Sequence, residues 1–240
     1  MILHALMNKS RLNRIQRINK QYFKLKLMTA NFLFFLTFFP NCAINKNDTI
    51  DLLSKSTVRL GENQTIHVNS TFGTGFFISD NSYILTCSHF VNQVETVYVY
   101  HLEKSYKTKL VRKDNRSDLA LLEIQGLDFG HGWIETEKQI PAEYGLEVWG
   151  MGSPFGEEKS LYRGMVSKPA VLGGDPTEPN LSFIQFDQIF LPGFSGAPLV
   201  DKAHAFVGIA RYQMTLSESR HSGLGYAIPA NRVREFLEKE

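Results

Sequence analysis

The chain's 240 residues are 43% hydrophobic and 12% aromatic, enough apolar side chain for a sizeable core, which excludes a disordered chain. Its net charge of +2 is unevenly distributed: residues 1–47 hold eight Lys or Arg and no acid, leaving 18 basic and 24 acidic side chains after them. The body is therefore acidic, which excludes a nucleic-acid binder built on basic surface.

The basic stretch from Lys9 to Lys26 precedes an apolar run, residues 30–39, that Pro40 ends. A basic region followed by a short apolar region is the layout of a secretory signal. The apolar run is short for a membrane span of about 20 residues. An uncleaved anchor, with membrane association through this segment, stays open, as does an organelle presequence. Residues 1–45 are set aside as this targeting segment. The expected location is extracytoplasmic (periplasmic, secreted or membrane-anchored), with a mitochondrial or other organellar one as the alternative. Cleavage after Cys42 would leave Cys87 without an intramolecular partner, so the body rests on its hydrophobic core.

From Thr57 onward short alternating runs predict strands at 57–60, 66–68, 72–78 and 83–86, with His89 at the end of the last apolar run. Gly73 and Gly75 mark the third as a strand that bends or lies close to another backbone. Further strands are predicted at 96–101, 107–112 and 119–124, the last opened by Asp118. Residues 126–145 are the loosest part and read as the connection between two halves. The second half has predicted strands at 146–152, 160–167, 182–187, 197–200, 205–212 and 225–228, with a surface loop at 173–176. Residues 231–239 read as a short amphipathic helix with Asn231 as its cap. Many short strands at even spacing indicate barrels or a sandwich.

Within 185–200, Ser195 stands in a glycine turn after an alternating strand. Glycines permit a sharp turn and leave amide N–H groups uncovered, which suits a negatively charged tetrahedral intermediate. His89, Asp118 and Ser195 follow in the order His, Asp, Ser, one of several orders in which such triads occur. In these roles Ser195 attacks a carbonyl, His89 carries its proton, Asp118 orients the imidazole, and the amides of Gly193 and Ser195 bind the oxyanion. Cys87 reads as a small buried hydrophobe. The histidines lack metal-site spacing and no phosphate-binding loop motif occurs, so neither a metal nor a cofactor is expected.

Seven blocks, in order over residues 57–230, make the body resemble the HtrA/Deg group of trypsin-like (chymotrypsin-fold) serine proteases. Residues 72–78 and 83–91 are similar to that family's glycine strand and histidine block. Asp118-Leu119-Ala120-Leu121-Leu122 is similar to its aspartate block, and Trp149-Gly150-Met151-Gly152-Ser153-Pro154-Phe155-Gly156 to its Pro-Gly turn. Residues 162–167, 184–200 and 223–229 resemble the remaining three. The resemblance implies two six-stranded antiparallel Greek-key β-barrels with a short C-terminal helix. The expected units are a first barrel and linker over 46–139, carrying His89 and Asp118, and a second barrel with the helix over 140–240, carrying Ser195.

Phe194 departs from the small polar residue usual before the serine, and Ala197 from the second glycine after it. Phe194 would then shade the oxyanion site or line a substrate pocket. The chain ends eleven residues after Pro229, so the family's PDZ modules are not expected. Ile189 stands six residues before Ser195, where trypsin-like relatives that read basic side chains carry a carboxylate. With Leu191, Phe194, Ile209, Ala210 and Arg211, it forms the expected substrate-binding set, favouring cleavage after small or aliphatic residues. The expected partners are unfolded or exposed protein and peptide segments, with no nucleic acid; oligomeric state is left open. The alternative is a protease fold kept for peptide binding, with catalysis lost through Phe194 and Ala197.

Overall fold

A computed structural model describes residues 46–65, 72–79, 82–101, 104–126, 130–172, 180–217 and 220–239, with side chains between 212 and 222 outside the description. The targeting segment, the strand predicted at 66–68 and the loop at 173–176 lie outside the described residues.

The first half opens with a helix absent from the sequence expectation, α1 (Lys46–Ser56). Asp48 in its first turn and Lys55 in its last complement the helix dipole, and Leu53 is fully buried. Six strands follow: β1 (Thr57–Gly61), β2 (Phe72–Phe77), β3 (Tyr83–Cys87), β4 (Tyr98–His101), β5 (Lys104–Asp114) and β6 (Leu119–Ile124). They close a barrel in the order β1-β2-β3-β6-β5-β4. The second half holds β7 (Glu147–Gly152), β8 (Ser160–Leu172), β9 (Ser182–Phe186), β10 (Pro198–Val200), β11 (Phe206–Ser217) and β12 (Arg220–Pro229). These close a second barrel in the order β10-β11-β12-β9-β8-β7. Counted from each barrel's own first strand, the two orders are the same Greek-key winding. Closure removes the exposed edges that an open sheet would offer to other chains.

Each barrel is filled by the inward side of its strands and, in the second, also by Phe190 from the connection between β9 and β10. Leu60, Phe77, Ile84, Val99 and Leu122 pack the first; Val148, Val166, Phe186, Phe190 and Leu199 pack the second. A third apolar cluster joins the barrels through Phe76, Leu85, Leu119, Trp149, Phe206 and Ile209, and takes in Leu53 of α1. The expected loose connection is tethered instead. Ile134 N–H donates to Phe77 O at 2.9 Å and Phe206 N–H to Lys138 O at 2.7 Å, while His131 stacks on Phe77 at 3.7 Å between ring centroids.

Two local expectations change. His89 lies in the first turn of a short helix, α2 (Ser88–Asn92), rather than on a strand. The chain leaves β3 there because Ser88 N–H donates to Asp118 O at 3.1 Å, which draws it toward the turn before β6. The terminal helix, α3 (Ala230–Glu238), begins one residue early, with Pro229 at its N-cap and Asn231 inside. Proline's fixed φ and missing N–H suit a helix entry.

Candidate active site

Asp118 ends the turn between β5 and β6 with φ of 56°, a left-handed conformation that aspartate tolerates better than most residues. It is 3% exposed. A buried carboxylate is costly unless fully hydrogen-bonded, and this one accepts from four donors. Oδ1 takes His89 N–H at 2.8 Å and Ser88 Oγ–H at 3.0 Å. Oδ2 faces His89 Nδ1 at 2.8 Å and takes Arg211 Nε–H at 2.7 Å. Burial pushes the carboxyl up, but the His89 ring bond and charge, the Arg211 guanidinium and the His89 amide together hold it below its ordinary value. An ionised carboxylate can only accept, so the proton of the neutral imidazole is assigned to Nδ1, leaving Nε2 as an acceptor. The half-exposed ring presents that atom without a protein partner among the described residues.

The second barrel brings the glycine turn to the same junction. Gly193 and Gly196 have φ of 90° and 93°. A Cβ at Gly196 would lie 2.0 Å from Thr74 O, and one at Gly193 2.5 Å from Ser153 O. Only glycine fits both the conformation and the space. Two carbonyls orient the amides. Pro192 O accepts Phe155 N–H at 2.8 Å, and Phe194 O accepts Ala197 N–H at 3.0 Å. In a trans peptide the N–H points away from the carbonyl, so the N–H groups of Gly193 and Ser195 point away from those bonds. Neither has a protein acceptor among the described residues. Phe155 makes its bond from a left-handed conformation, φ 52°, a local strain that the surrounding turn holds in place.

Thr74 of β2, which the sequence reading passed over, ties this turn to the first barrel. Its N–H donates to Ser195 O at 3.0 Å and its hydroxyl to Gly193 O at 2.7 Å, while the same Oγ1 accepts Ser153 N–H at 2.9 Å. Its own carbonyl accepts Thr86 Oγ1–H at 2.7 Å. The two glycines flanking it in the sequence were the available signal, since they mark a strand under close backbone approach.

The structure thus brings His89, Asp118, Gly193 and Ser195 to the barrel junction. Ser195 Oγ does not bond to His89; it donates to Arg211 O at 2.6 Å. The expected substrate-binding set divides. Ile189, Leu191 and Phe194 line an apolar cavity of about 550 Å³ with Pro154, Leu161 and Tyr162, and neither His89 nor Ser195 is part of its wall. Ile209 and Ala210 are fully buried instead, because β11 inserts both into apolar clusters. Arg211 turns to Asp118 rather than into the cavity, and lies over the Phe183 ring at 5.1 Å. Phe194 is 4% exposed and stacks on Phe190 at 5.8 Å beside Tyr162. Its ring fills the barrel interior, with one side on the cavity, rather than covering the amides. Ala197 is likewise core.

Metal-ligand chemistry fits poorly here. One donor atom each of Cys87, His89 and Asp118 lies within 4.8 Å of the others. The Cys87 thiol, however, is fully buried and donates to Ala210 O at 3.7 Å. Burial, with the Asp118 charge second, pushes its pKa well up, against a thiolate. Both Asp118 oxygens are already saturated.

Two Greek-key barrels with a His–Asp pair from one and a glycine-turn serine from the other define the trypsin-like class. The trypsin-like peptidase domain family matches residues 73–209, and the chain belongs to it. It is 35% identical over 160 residues to a probable periplasmic serine endoprotease, DegP-like, of Pseudomonas savastanoi pv. phaseolicola, covering 66% of this chain and 32% of that protein. A protein of the same description from Pseudomonas fluorescens is 36% identical over 160 residues, covering 66% and 33%. The chain therefore spans about a third of the length of these curated relatives. Among solved structures, the HtrA-type protease AlgW with a tripeptide superposes with a TM-score of 0.66 at 23% identity, covering 81% of this chain and 62% of that one. The serine endoprotease from Yersinia pestis gives 0.64 at 26% identity, covering 81% and 65%. Both the HtrA/Deg resemblance and the double-barrel fold read from the sequence are borne out.

Proposed function

We propose that the chain is a serine endopeptidase that hydrolyses unfolded or exposed protein segments outside the cytoplasm. The observation that carries this reading is the buried Asp118 carboxylate at 2.8 Å from His89 Nδ1, which leaves Nε2 as a base at the junction with the Ser195 turn. In the reaction the Ser195 hydroxyl leaves the Arg211 carbonyl and donates to Nε2 as Oγ attacks the substrate carbonyl carbon. Asp118 stabilises the imidazolium that forms. The N–H groups of Gly193 and Ser195 receive the negative oxygen. His89 then protonates the leaving amine, the acyl-serine forms, and water activated by His89 hydrolyses it. The periplasmic naming of the DegP-like relatives supports the location, and the tripeptide with AlgW supports a peptide ligand. Ile189, in place of a carboxylate, supports cleavage after small or aliphatic residues.

Non-hydrolytic peptide binding is favoured by one observation, the Ser195 hydroxyl held by Arg211 O at 2.6 Å. The burial of Phe194 and Ala197 in the barrel interior removes the steric ground for that reading. Incubation of the full chain with unfolded casein, beside Ser195→Ala, separates the two. The proposal expects fragments from the first only, cut mostly after Val, Ala, Leu or Ile. Intact casein retained by both proteins would instead establish the binding module.

A further inference from the structure

Arg211 touches both halves of the site. Its main-chain carbonyl holds the Ser195 hydroxyl at 2.6 Å, and its Nε donates at 2.7 Å to Asp118 Oδ2, the oxygen that also faces His89 Nδ1. The ion pair is deep, with side-chain exposures of 12% for Arg211 and 5% for Asp118, so solvent screens it little. The Phe183 ring lies 5.1 Å from the Arg211 guanidinium carbon and adds a cation–π contact, which it also makes with Arg232. Among the described residues, His89 from α2, Cys87 from β3 and Arg211 from β11 are the titratable or charged groups that face Asp118. Asp114 and Arg116 of its own turn are directed to a separate cavity with Lys239.

Resting on the proteolytic reading above, we infer that Arg211 is a positioning residue that orients the Asp118 carboxylate toward His89. Arg211 Nε–H and His89 Nδ1 meet the same oxygen, Oδ2, from β11 and α2, so the guanidinium fixes where that oxygen stands and with it how the imidazole is held. In the same residue the Ser195 hydroxyl has a resting acceptor, which it exchanges for Nε2 when substrate arrives.

The test compares the full chain with Arg211→Met and Arg211→Lys. Two quantities are followed: kcat and KM on unfolded casein, and the His89 Nδ1–H proton resonance by NMR. For Arg211→Met, kcat should fall about 10²-fold with KM little changed, the cost of a small misplacement beside the chemistry, and the Nδ1–H resonance should move or broaden. Arg211→Lys keeps a donor and a charge and should recover part of both. A folded Arg211→Met whose kcat and Nδ1–H resonance match the wild type overturns the proposal. If wild type leaves casein intact, the proteolytic reading fails on its own, and the Nδ1–H resonance alone supports or overturns the role of Arg211. Should Arg211→Met not fold, Arg211→Gln replaces it with the same expected direction.

Discussion

The two barrels share one strand winding yet hold their parts of the site by different physics. The first presents Asp118 and His89 through side-chain hydrogen bonds around a buried charge. The second presents Gly193 and Ser195 through backbone bonds and left-handed glycines. The first side should therefore fail when a charge or donor is changed, and the second when a volume or a backbone angle is changed.

The largest effect is expected on the first side. Asp118→Asn keeps the shape but offers an amide where Nδ1 needs an acceptor, and kcat on casein should drop about 10⁴-fold, as when the triad aspartate is replaced in a trypsin-like enzyme. On the second side, Phe194→Ala removes a ring buried against Phe190 and Tyr162. Urea unfolding should show a loss of about 3–5 kcal/mol, the range for a buried Phe. A destabilisation below about 1 kcal/mol would mean that the ring is not core. Gly193→Ala meets both the φ of 90° and Ser153 O. Its kcat should fall about 10²–10³-fold with little change in KM, the cost of one oxyanion donor. Thr74→Val, at the seam between the barrels, removes a donor to Gly193 O and an acceptor for Ser153 N–H. It should cost about 1–3 kcal/mol in the same unfolding assay.

The smallest effect sharpens the contrast by pH. Because Asp118 is held below its ordinary value in the folded chain, it contributes stability that is fully present above the unfolded aspartate value of about 3.9 and is lost as pH falls through the lower folded value. Wild type should therefore lose stability more steeply than Asp118→Asn on acidification below about pH 4. Equal slopes would contradict the charge-based account of the first barrel.

Legibility in the sequence divides along similar lines. Strand rhythm and the short blocks around His89, Asp118 and Ser195 are local signals, and they located both barrels and the residues at their junction. Arg211 and the inward turn of Phe194 were not legible, since each depends on a contact between distant segments, and Thr74 showed only through the glycines on either side of it. Arg211 is 93 residues from Asp118, and beside Ile209 and Ala210 it read as pocket wall. His89 read as strand because the bond from Ser88 to Asp118 that turns the chain into α2 spans 30 residues. The missed helix Lys46–Ser56 lacked a strong apolar stripe; its buried Leu53 joins the cluster between the barrels rather than a face of its own.

The central claim is that Ser195 is an activated nucleophile. A fluorophosphonate probe applied to the full chain, followed by peptide mass spectrometry, tests it most directly. The account predicts covalent label on Ser195, absent in Ser195→Ala and strongly reduced in Asp118→Asn. A folded wild-type chain that carries no label at Ser195 would contradict it.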